Sequence, residues 1–569
     1  MVRVQRWVAL AAGLAVLFAG LVARLFWLQV RPALVAPEGQ ALVRQSVMQR
    51  RTAVVLDEGR GLVADRRGRL LAGIPSFGLL VRPADDASEE EVREAARLIG
   101  EPAGRLQSVL ENLERPALLH REGEREPAAL DRRRAAAVNA FGRPWLKAVP
   151  CRRRYLDPPA AAHLVGFVLH RDRTGAAGLE RTFEPFLRPR SRVLLAFRRL
   201  ATGEPAGGDD GRLVKDGSDF YPLTVRTTLD LDIQRTVERL MEETGIGDGA
   251  AVVLDVPTGD ILAMASAPAF DPYFVRPEEG RWRNRALMAE TPGSVFKTVI
   301  AAAALEAGVA RPGERFFCNG RHARTGLRCH ARKGHGAISL EEAYAKSCNV
   351  VFAELALRLQ AGRLERAARR LGIGKPAGWR AERLGTPFGT LRGFAQLDGE
   401  EAGRLFARGA PPDDPAVLAL TGIGQHSVRI TPLQAAQWTA AVAAGGGPLP
   451  APRAVSRVTW KNGREMVRFP VKAHPGTGFS PHAARWLKKA MRLAAESGTA
   501  SRLSGLPGGA AGKTGTAETG NGGLVHQWFT GFYPLERPRY AVAILVRNRP
   551  AGSANLAVEA AEKLFRRLP

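Results

Sequence analysis

The chain has 569 residues, of which 45% are hydrophobic and 24% charged, and this composition excludes an intrinsically disordered protein. A chain of this length can bury a large core and has room for about two to four domains. The formal net charge of +27 comes mostly from arginine. Either a GC-rich genome encodes arginine in place of lysine, or the protein meets an anionic surface such as lipid headgroups or wall polymers. The arginines are scattered and form no nucleic-acid-binding motif, so we expect no nucleic-acid partner.

The N-terminus predicts a membrane anchor. An uncharged run at 7–23 follows Arg3 and Arg6, and as a helix it rises about 26 Å, close to the thickness of the hydrocarbon core. Basic residues before the run favour a cytoplasmic N-terminus. No small-residue cleavage site follows directly, so an anchor is favoured over a cleaved signal peptide. We therefore expect a cytoplasmic tail at 1–6, a transmembrane helix at 7–29 and an extracytoplasmic chain beyond about residue 30.

Residues 30–225 are predicted to form an N-terminal domain of mixed, irregular structure. The sequence RGLVADRRGRLLAG at 60–73 is typical of two short strands around a glycine turn. Ser88, followed by acidic residues, marks a helix start at 88–100. Segment 175–189 combines a glycine turn with a helix, and the turn-rich segment 201–219 indicates a loop or hairpin tip.

Residues 226–569 are predicted to form a second domain of the α+β class. Asp230 precedes an amphipathic helix, and two apolar runs within 249–266 flank a Pro-Thr-Gly-Asp hairpin signal. The middle of the domain is helix-rich, and its C-terminal part holds three more strands and a closing helix, at 509–518, 526–535, 539–548 and 555–568. Strands at both ends of a domain indicate one antiparallel sheet, built from both termini and covered by helices.

Ser294 lies at the start of one of these helices, three residues before Lys297. A serine becomes a nucleophile only when a base takes its proton, and a lysine at i+3 lies on the same helix face. The helix N-terminus also favours developing negative charge. By itself this S-x-x-K spacing is weak, because it occurs by chance in most chains of this length and a helix-capping serine beside a solvated lysine is the commoner explanation.

Cysteine and histidine residues gather between positions 318 and 348. The set consists of Cys318, Cys329, Cys348, His322, His330 and His335. Outside the cytoplasm a Cys318–Cys329 disulfide is one interpretation. The other is a closed structural Zn²⁺ site formed by Cys318, Cys329, His335 and Cys348, with His322 or His330 as substitutes for His335. Both interpretations remain open, and Cys151 lies far away, where a lone buried thiol is expected.

Two further motifs raise the significance of Ser294. Ser347-Cys348-Asn349 forms S-x-N, 53 residues after Ser294, and Lys513-Thr514-Gly515 forms K-T-G on a predicted strand, another 166 residues along. The ordered set S-x-x-K, S-x-N, K-T-G is that of the serine penicillin-recognising enzymes.

The chain resembles the class B penicillin-binding proteins, which are membrane-anchored peptidoglycan D,D-transpeptidases. RGLVADRRGRLLA resembles their N-terminal R-G-x-x-x-D-R-x-G motif, and GAAGLE resembles their G-x-x-G-x-E element. The segments NRALMAETPGSVFK and GIGQHSVRITPLQAAQ resemble catalytic-domain signatures, although His426 stands where G-Q-G is usual. The resemblance implies a transpeptidase domain of β-lactamase-like fold, preceded by an elongated pedestal or dimerisation-type domain. The N-terminal motif lies between the anchor and the catalytic domain and is charged and turn-rich, so we expect it to act as a partner surface.

The resemblance also implies roles for the motif residues. Ser294 attacks the carbonyl of a D-Ala-D-Ala stem peptide, with Lys297 as general base. Ser347 relays the proton to the leaving group, and Asn349 holds the substrate amide and the lysine. Lys513, Thr514, Gly515 and Thr516 bind the substrate, chiefly its terminal carboxylate, and the N–H groups of Ser294 and Thr516 form the oxyanion hole. An amine from a neighbouring stem resolves the acyl-enzyme, and β-lactams inhibit.

Two alternatives share this acylation chemistry, namely a D,D-carboxypeptidase and a β-lactam-hydrolysing or β-lactam-sensing relative. We favour the transpeptidase, in elongation or division, because of the long segment before residue 225 and its motifs. That segment has no length suited to a glycosyltransferase, so a membrane-embedded glycan polymerase within a wall-synthesis complex is the expected partner. The expected location is the cell (inner) membrane, crossed once, and catalysis is expected to need no cofactor.

Overall fold

The computed structural model describes residues 2–30, 51–84, 86–120, 128–169, 172–198, 211–407, 412–520 and 522–569. Its contacts divide the chain into a smaller unit, Met1–Glu58 with Pro75–Arg152 and Ser191–Gly217, and a larger unit, Gly59–Ile74 with Arg153–Arg190 and Ser218–Pro569. Segments 59–74 and 153–190 thus pack with the larger unit. The linear boundary between residues 225 and 226 remains a prediction, and residues 201–210 of the predicted loop lie outside the described residues.

Twenty strands follow one another along the described chain. They are β1 Arg51–Asp57, β2 Leu62–Ala64, β3 Leu70–Val81, β4 Ala117–Leu118, β5 Ala129–Leu130, β6 Leu146–Tyr155, β7 Ser191–Arg198, β8 Arg212–Gly217, β9 Thr224–Thr227, β10 Gly249–Asp255, β11 Ile261–Ala267, β12 Arg315–Cys318, β13 Gly336–Ser339, β14 Arg380–Thr386, β15 Gly389–Ala395, β16 Val455–Thr459, β17 Glu465–Arg468, β18 Ala511–Glu518, β19 Leu524–Tyr533 and β20 Tyr540–Pro550.

The described helices are interspersed with these strands. They are α1 Val2–Val30, α2 Glu89–Ile99, α3 Ala103–Glu111, α4 Arg132–Phe141, α5 Ala162–Val165, α6 Gly178–Thr182, α7 Glu184–Leu187, α8 Leu231–Glu243, α9 Lys297–Glu306, α10 Leu340–Ala345, α11 Asn349–Arg370, α12 Pro415–Gly422, α13 Pro432–Ala443, α14 Pro481–Ser497 and α15 Leu556–Arg567. Short 3₁₀ turns lie at Pro277–Glu279, Arg285–Leu287, Gly293–Phe296 and Ser501–Leu503.

Helix α1 contains the predicted apolar segment. Its stretch Gln5–Phe26 is 22 residues long and apolar enough to cross a membrane. At 1.5 Å per residue it is about 33 Å long, which matches the hydrocarbon core of a bilayer. The expected N-terminal apolar helix is therefore present and compatible with membrane anchoring.

The smaller unit is built from short antiparallel pairings and three amphipathic helices. Strands β1, β7 and β8 form one antiparallel sheet, and the distal part of β3 pairs with β4 and β5. Helix α2 starts as predicted, because Ser88 and Glu91 form a reciprocal capping box. Its buried face packs against α3 and α4.

The larger unit is organised around a five-stranded antiparallel sheet of order β11-β10-β20-β19-β18. Alternate residues of each strand face opposite layers, as the period of a strand requires. On one face, Val252 and Trp528 join the core that holds α9 and α13. On the other face, Val253 and Phe529 pack with α8 and α15. The sheet is built from both ends of the unit and covered by helices on both faces, so the predicted α+β class is confirmed.

The motif at 60–73 forms strand β2, a turn and the start of β3, as predicted. Asp65 is fully buried, and its carboxylate accepts hydrogen bonds from the N–H groups of Arg67 and Arg69, from Arg69 Nε at 2.8 Å and from the N–H of Leu231. Arg60, 7% exposed, reaches Glu180 Oε2 at 2.8 Å. The expectation that this motif is a partner surface is therefore wrong for Arg60 and Asp65, because their charges are used inside the larger unit.

Candidate active site

Ser294 lies in the 3₁₀ turn Gly293–Phe296, which leads directly into α9 at Lys297. Gly293 has φ +56°, and a Cβ on it would lie 2.3 Å from the carbonyl oxygen of Thr516, so only glycine allows this approach. The N–H of Lys297 donates to the carbonyl oxygen of Ser294. The turn therefore packs Ser294 against strand β18, which carries the K-T-G motif, while the serine remains partly accessible.

Lys297 is fully buried, and its ammonium group is surrounded by the S-x-N motif. Lys297 Nζ donates to the carbonyl oxygen of Ser347 at 2.7 Å, to Ser347 Oγ at 3.1 Å and to Asn349 Oδ1 at 2.8 Å. Burial lowers the pKa of Lys297 to about 7, because the charged form loses its hydration. A substantial fraction of this lysine is therefore a neutral amine near pH 7, the form that can accept a proton.

Ser347 connects the S-x-N and K-T-G motifs. Its backbone has φ +57°, an uncommon conformation for a residue other than glycine. Lys513, also fully buried, donates from Nζ to Ser347 Oγ at 3.0 Å and to the carbonyl oxygen of Thr514 at 2.8 Å. Burial, with the nearby Lys297 charge, lowers the pKa of Lys513 well below its usual range. The network thus joins Lys297, Ser347, Asn349 and Lys513.

Strand β18 borders the site as the edge strand of the five-stranded sheet. A Cβ on Gly515 would lie 2.8 Å from the carbonyl oxygen of Pro292, so the K-T-G glycine permits close packing against the Ser294 turn. Thr516 is exposed and Thr514 is buried. An edge strand leaves backbone hydrogen-bonding groups unpaired on one side, where an extended peptide can add as a further strand.

Thr499 is a site residue that the sequence did not indicate. Thr514 Oγ1 donates to Thr499 Oγ1 at 2.6 Å, and the N–H of Thr499 donates to the carbonyl oxygen of Ala345 at 3.1 Å. Thr499 therefore links the K-T-G strand to the segment just before Ser347. Only the local S-G-T sequence at 497–499 could have drawn attention to it, and a turn after a helix explains that sequence equally.

Six hydrogen bonds and ion pairs fix the turn that precedes Ser294. The N–H of Ala289 donates to Glu401 Oε2 at 2.7 Å, and the backbone of Glu290 pairs in both directions with Ile430. Glu290 Oε1 lies 2.9 Å from Arg547 Nε and Glu290 Oε2 3.4 Å from His526 Nε2, and Trp528 Nε1 donates to the carbonyl oxygen of Thr291 at 2.9 Å. These contacts come from separate parts of the chain, so the position of the nucleophile turn depends on the assembled larger unit.

The segment with His426 supports the same turn. The N–H of Gly293 donates to the carbonyl oxygen of Gly424 at 2.9 Å, and a Cβ on Gly424 would lie 2.1 Å from the carbonyl oxygen of Gly293. His426, which stands where glycine is usual, has φ +61°, and its Nδ1 lies 2.7 Å from Ser427 Oγ. Glycine adopts a left-handed backbone more easily than other residues, which explains why it suits position 426. The histidine present here contacts Ser427 through its side chain.

The structure brings the four predicted metal ligands together. The ligand atoms of Cys318, Cys329, His335 and Cys348 all lie within 4.8 Å of one another. Cys329 Sγ is 4.0 Å from Cys348 Sγ and 3.6 Å from His335 Nδ1. Zn–S and Zn–N bonds of about 2.3 and 2.0 Å in a tetrahedron give edges of about 3.8 Å between sulfurs and about 3.5 Å between sulfur and nitrogen. The donor types and spacing therefore fit Zn²⁺.

The other histidines of this segment have different surroundings. His322 Nε2 faces Glu354 Oε2 at 3.2 Å, and His322 Nδ1 lies 3.0 Å from the Thr325 hydroxyl. His330 Nδ1 lies 3.9 Å from Cys329 Sγ, farther than that of His335. All four cysteines of the chain are unbridged thiols. His335 is thus the histidine that completes the cluster.

The chain is similar in sequence to proteins of one known family. Residues 249–568 match the family model described as the penicillin binding protein transpeptidase domain. The chain is 32% identical over 439 residues to the peptidoglycan D,D-transpeptidase PbpA of Mycobacterium tuberculosis strain H37Rv, which covers 70% of this chain and 79% of that protein. It is 24% identical over 580 residues to the peptidoglycan D,D-transpeptidase FtsI of Escherichia coli K12, and the match covers 96% of this chain and 88% of that protein.

A solved structure is similar over nearly the whole chain. It was reported as "Structural coordination of polymerization and crosslinking by a peptidoglycan synthase complex". One of its chains matches with a TM-score of 0.69 and 27% sequence identity, covering 98% of this chain and 97% of that one.

Proposed function

The chain belongs to the penicillin-binding protein transpeptidase family, as a class B member that crosslinks peptidoglycan in cell-wall synthesis, and from this premise we propose that Ser294 is its nucleophile. The observation that carries the assignment is the buried network in which Lys297 contacts both Ser347 and Asn349, one helical turn from Ser294. A serine-type acyltransferase needs a neutral base beside its nucleophile, and Lys297, with its pKa lowered to about 7, meets that requirement.

In the proposed acylation, Ser294 Oγ attacks the carbonyl carbon of the penultimate D-Ala, and its proton passes to Lys297. The C–N bond to the terminal D-Ala then breaks, and the leaving nitrogen takes a proton through Ser347, whose hydroxyl contacts both lysines. Asn349 holds Lys297 through its carbonyl oxygen, 2.8 Å away, and contributes to binding of the substrate amide. General acid–base assistance of this kind is worth about 10²- to 10⁴-fold in rate.

Substrate binding is assigned to the K-T-G strand. Lys513, Thr514 and Thr516 bind the terminal carboxylate, and Gly515 lets the strand approach the nucleophile turn. The N–H groups of Ser294 and Thr516 serve as the oxyanion hole, where one donor is worth about 3 kcal/mol. An amine of a second stem then attacks the acyl-enzyme, which restores Ser294 and forms the crosslink. Water in place of this amine would give the carboxypeptidase reaction.

We also propose that Cys318, Cys329, His335 and Cys348 hold a structural Zn²⁺. The donor set and spacing support a closed tetrahedral site. When bound, the metal would supply crosslinking of the fold and no chemistry in the reaction. Cys348 lies between Ser347 and Asn349, so fixing its sulfur also restrains the backbone of the S-x-N motif.

The membrane orientation is proposed from the N-terminal sequence, and the partner is proposed from the similar solved structure. Arg3 and Arg6 favour a cytoplasmic N-terminus for α1, which puts the chain that follows α1 on the extracytoplasmic side of the inner membrane. The similar chain belongs to a peptidoglycan synthase complex that polymerises and crosslinks. By that similarity, a membrane-embedded glycan polymerase is the proposed partner.

Covalent capture by penicillin tests the nucleophile. The full-length protein in detergent, incubated with penicillin, should gain one penicilloyl mass located by peptide mapping on Ser294. Ser294→Ala should abolish the adduct, whereas Ser504→Ala, at an exposed serine, should not. Unchanged labelling of folded Ser294→Ala protein would refute the assignment.

A further inference from the structure

The segment 319–335, defined as the basic loop, carries a concentrated positive charge. Its exposed cationic residues are Arg321, Arg324, Arg328, Arg332 and Lys333. The sequence contains no aspartate or glutamate between positions 315 and 340. In the sequence alone, each arginine is explained as a solvated surface residue of a basic protein. A function for the cluster therefore has to be argued from the contacts of the loop in the structure.

Among the residues that the structure describes, these five charges have no acidic partner. Within the part of the chain that the structure describes, none of them lies within 4.0 Å of a carboxylate, whereas nearby Arg358 pairs with both Glu314 and Glu354. Arg321 and Arg328 form an antiparallel β-bridge and so lie directly opposite each other. Like charges in opposed positions destabilise a strand pair. The loop thus bears a repulsion that an anionic ligand would relieve.

Hydrogen bonds hold the backbone of the loop that carries these charges. The N–H of His322 donates to the carbonyl oxygen of Leu327 at 2.8 Å. The N–H of Cys329 donates to the carbonyl oxygen of Gly320 at 2.9 Å. His322 is 6% exposed and anchored to Glu354 and Thr325, as described above. Cys329 belongs to the buried sulfur cluster. A loop whose backbone is already held in place loses less conformational entropy on binding an anion than a mobile loop does.

The basic loop also borders the catalytic network. Asn349 Nδ2 donates to the carbonyl oxygen of Arg328 at 3.2 Å, while Asn349 Oδ1 accepts from Lys297. The side chain of Asn349 therefore connects the backbone of Arg328 to the buried Lys297. We expect an anion bound along this loop to lie beside the S-x-N motif, next to the part of a substrate beyond the reacting bond.

We propose that the basic loop binds the free carboxylates of an acidic stem peptide and so selects acidic over amidated substrates. This inference rests on the proposed function, because the peptide must be a substrate of the Ser294 site. Guanidinium groups match carboxylates in bidentate geometry, and exposed charges steer an oppositely charged ligand in a salt-dependent way. An anionic membrane surface is the rival occupant, but the link through Asn349 favours a ligand of the cleft.

The test uses the full-length protein in nanodiscs of zwitterionic lipid. Two synthetic stem peptides carry a thioester at the scissile bond, so that acylation of the enzyme releases a thiol that can be followed optically. The peptides differ only in one side carboxyl, which is free in the first and a carboxamide in the second. Acylation rate constants at increasing salt are compared for the wild type, R321Q/R324Q/R328Q and R321K/R324K/R328K. The control R363Q/R366Q/R485Q removes the same charge from exposed helix positions outside the loop.

The wild type should acylate with the acidic peptide about five- to tenfold faster at low salt, and the ratio should approach one as salt rises. The glutamine variant should have a ratio near one throughout, while the lysine variant and the control keep the preference. A glutamine variant that retains the preference, or a control that loses it equally, would overturn the inference. A preference seen only with anionic lipid would also overturn it and assign the loop to the membrane. Absence of both thiol release and a penicilloyl adduct at Ser294 would instead refute the proposed function itself.

Discussion

Lys297 and Lys513 donate to the same oxygen, with their Nζ atoms 3.1 and 3.0 Å from Ser347 Oγ. Both side chains are fully buried, and two ammonium groups cannot share one hydroxyl in such surroundings without a large electrostatic cost. Burial lowers the pKa of each lysine, and the nearby charge of Lys297 lowers the pKa of Lys513 further. At least one of them is therefore expected to be neutral when the enzyme reacts.

The acylation rate should depend on pH through Lys297. Its pKa is lowered to about 7, so the neutral base is the major form above pH 7 and falls about tenfold for each pH unit below it. The second-order rate constant for a fluorescent penicillin, measured from pH 5.5 to 9, should rise and then level off. Lys297→Arg, which keeps a permanent charge, should lower it by about 10³-fold. A flat profile in the wild type would argue against a lysine base.

Thr499 should act as a positioning residue for Thr514. Thr499→Val removes the acceptor of the Thr514 hydroxyl while keeping the shape of the side chain, and should reduce penicillin acylation about tenfold. Stopped-flow measurements at increasing penicillin concentration should assign most of the loss to noncovalent binding, since Thr514 is proposed to bind the substrate carboxylate. Thr499→Ser, which restores the hydroxyl, should recover activity. A loss confined to thermal stability would contradict this role.

Removal of the metal should lower the stability of the fold around the S-x-N motif. The protein as isolated should contain one equivalent of zinc, and a strong chelator should lower its melting temperature by several degrees. His335→Ala should lower the zinc content, whereas His330→Ala should not, because His335 Nδ1 is nearer to Cys329 Sγ. Metal-free protein with a Cys318–Cys329 crosslink in mass spectrometry would exclude the zinc site in favour of the disulfide.

Asp65 should stabilise the larger unit. Its carboxylate is fully buried and accepts hydrogen bonds from Arg67, Arg69 and Leu231. Asp65→Ala leaves these donors without an acceptor and should cost about 2–3 kcal/mol. Thermal unfolding should show a lower melting temperature, with penicillin acylation retained below the transition. Asp232→Ala, at a carboxylate 60% exposed, is the matched control and should have little effect. Equal stability of both variants would refute the assignment.

The sequence by itself determined the parts of the fold that depend on local pattern. Ser88 and Glu91 specify a helix start through a reciprocal cap, and alternating residues of β10 and β19 specify strands buried on both faces. The three motifs also predicted the side chains that the structure joins in one buried network, because each motif carries its residue types within four positions. The sequence also indicated Cys318, Cys329, His335 and Cys348 as candidate metal ligands, but it left open a disulfide and the choice among three histidines.

Only the tertiary structure decided what joins residues far apart in the chain. Thr499 has no sequence signal because its role comes from contacts with Thr514 and Ala345, on different elements. Asp65 was mistaken for a surface residue because charged, turn-rich sequence is usually exposed, and its burial depends on donors from its own turn and from Leu231. The lowered pKa of Lys297 is likewise a property of the packed site. A lysine ionises according to the solvent and charges around it, and these are fixed only when the helix, the S-x-N turn and the edge strand come together.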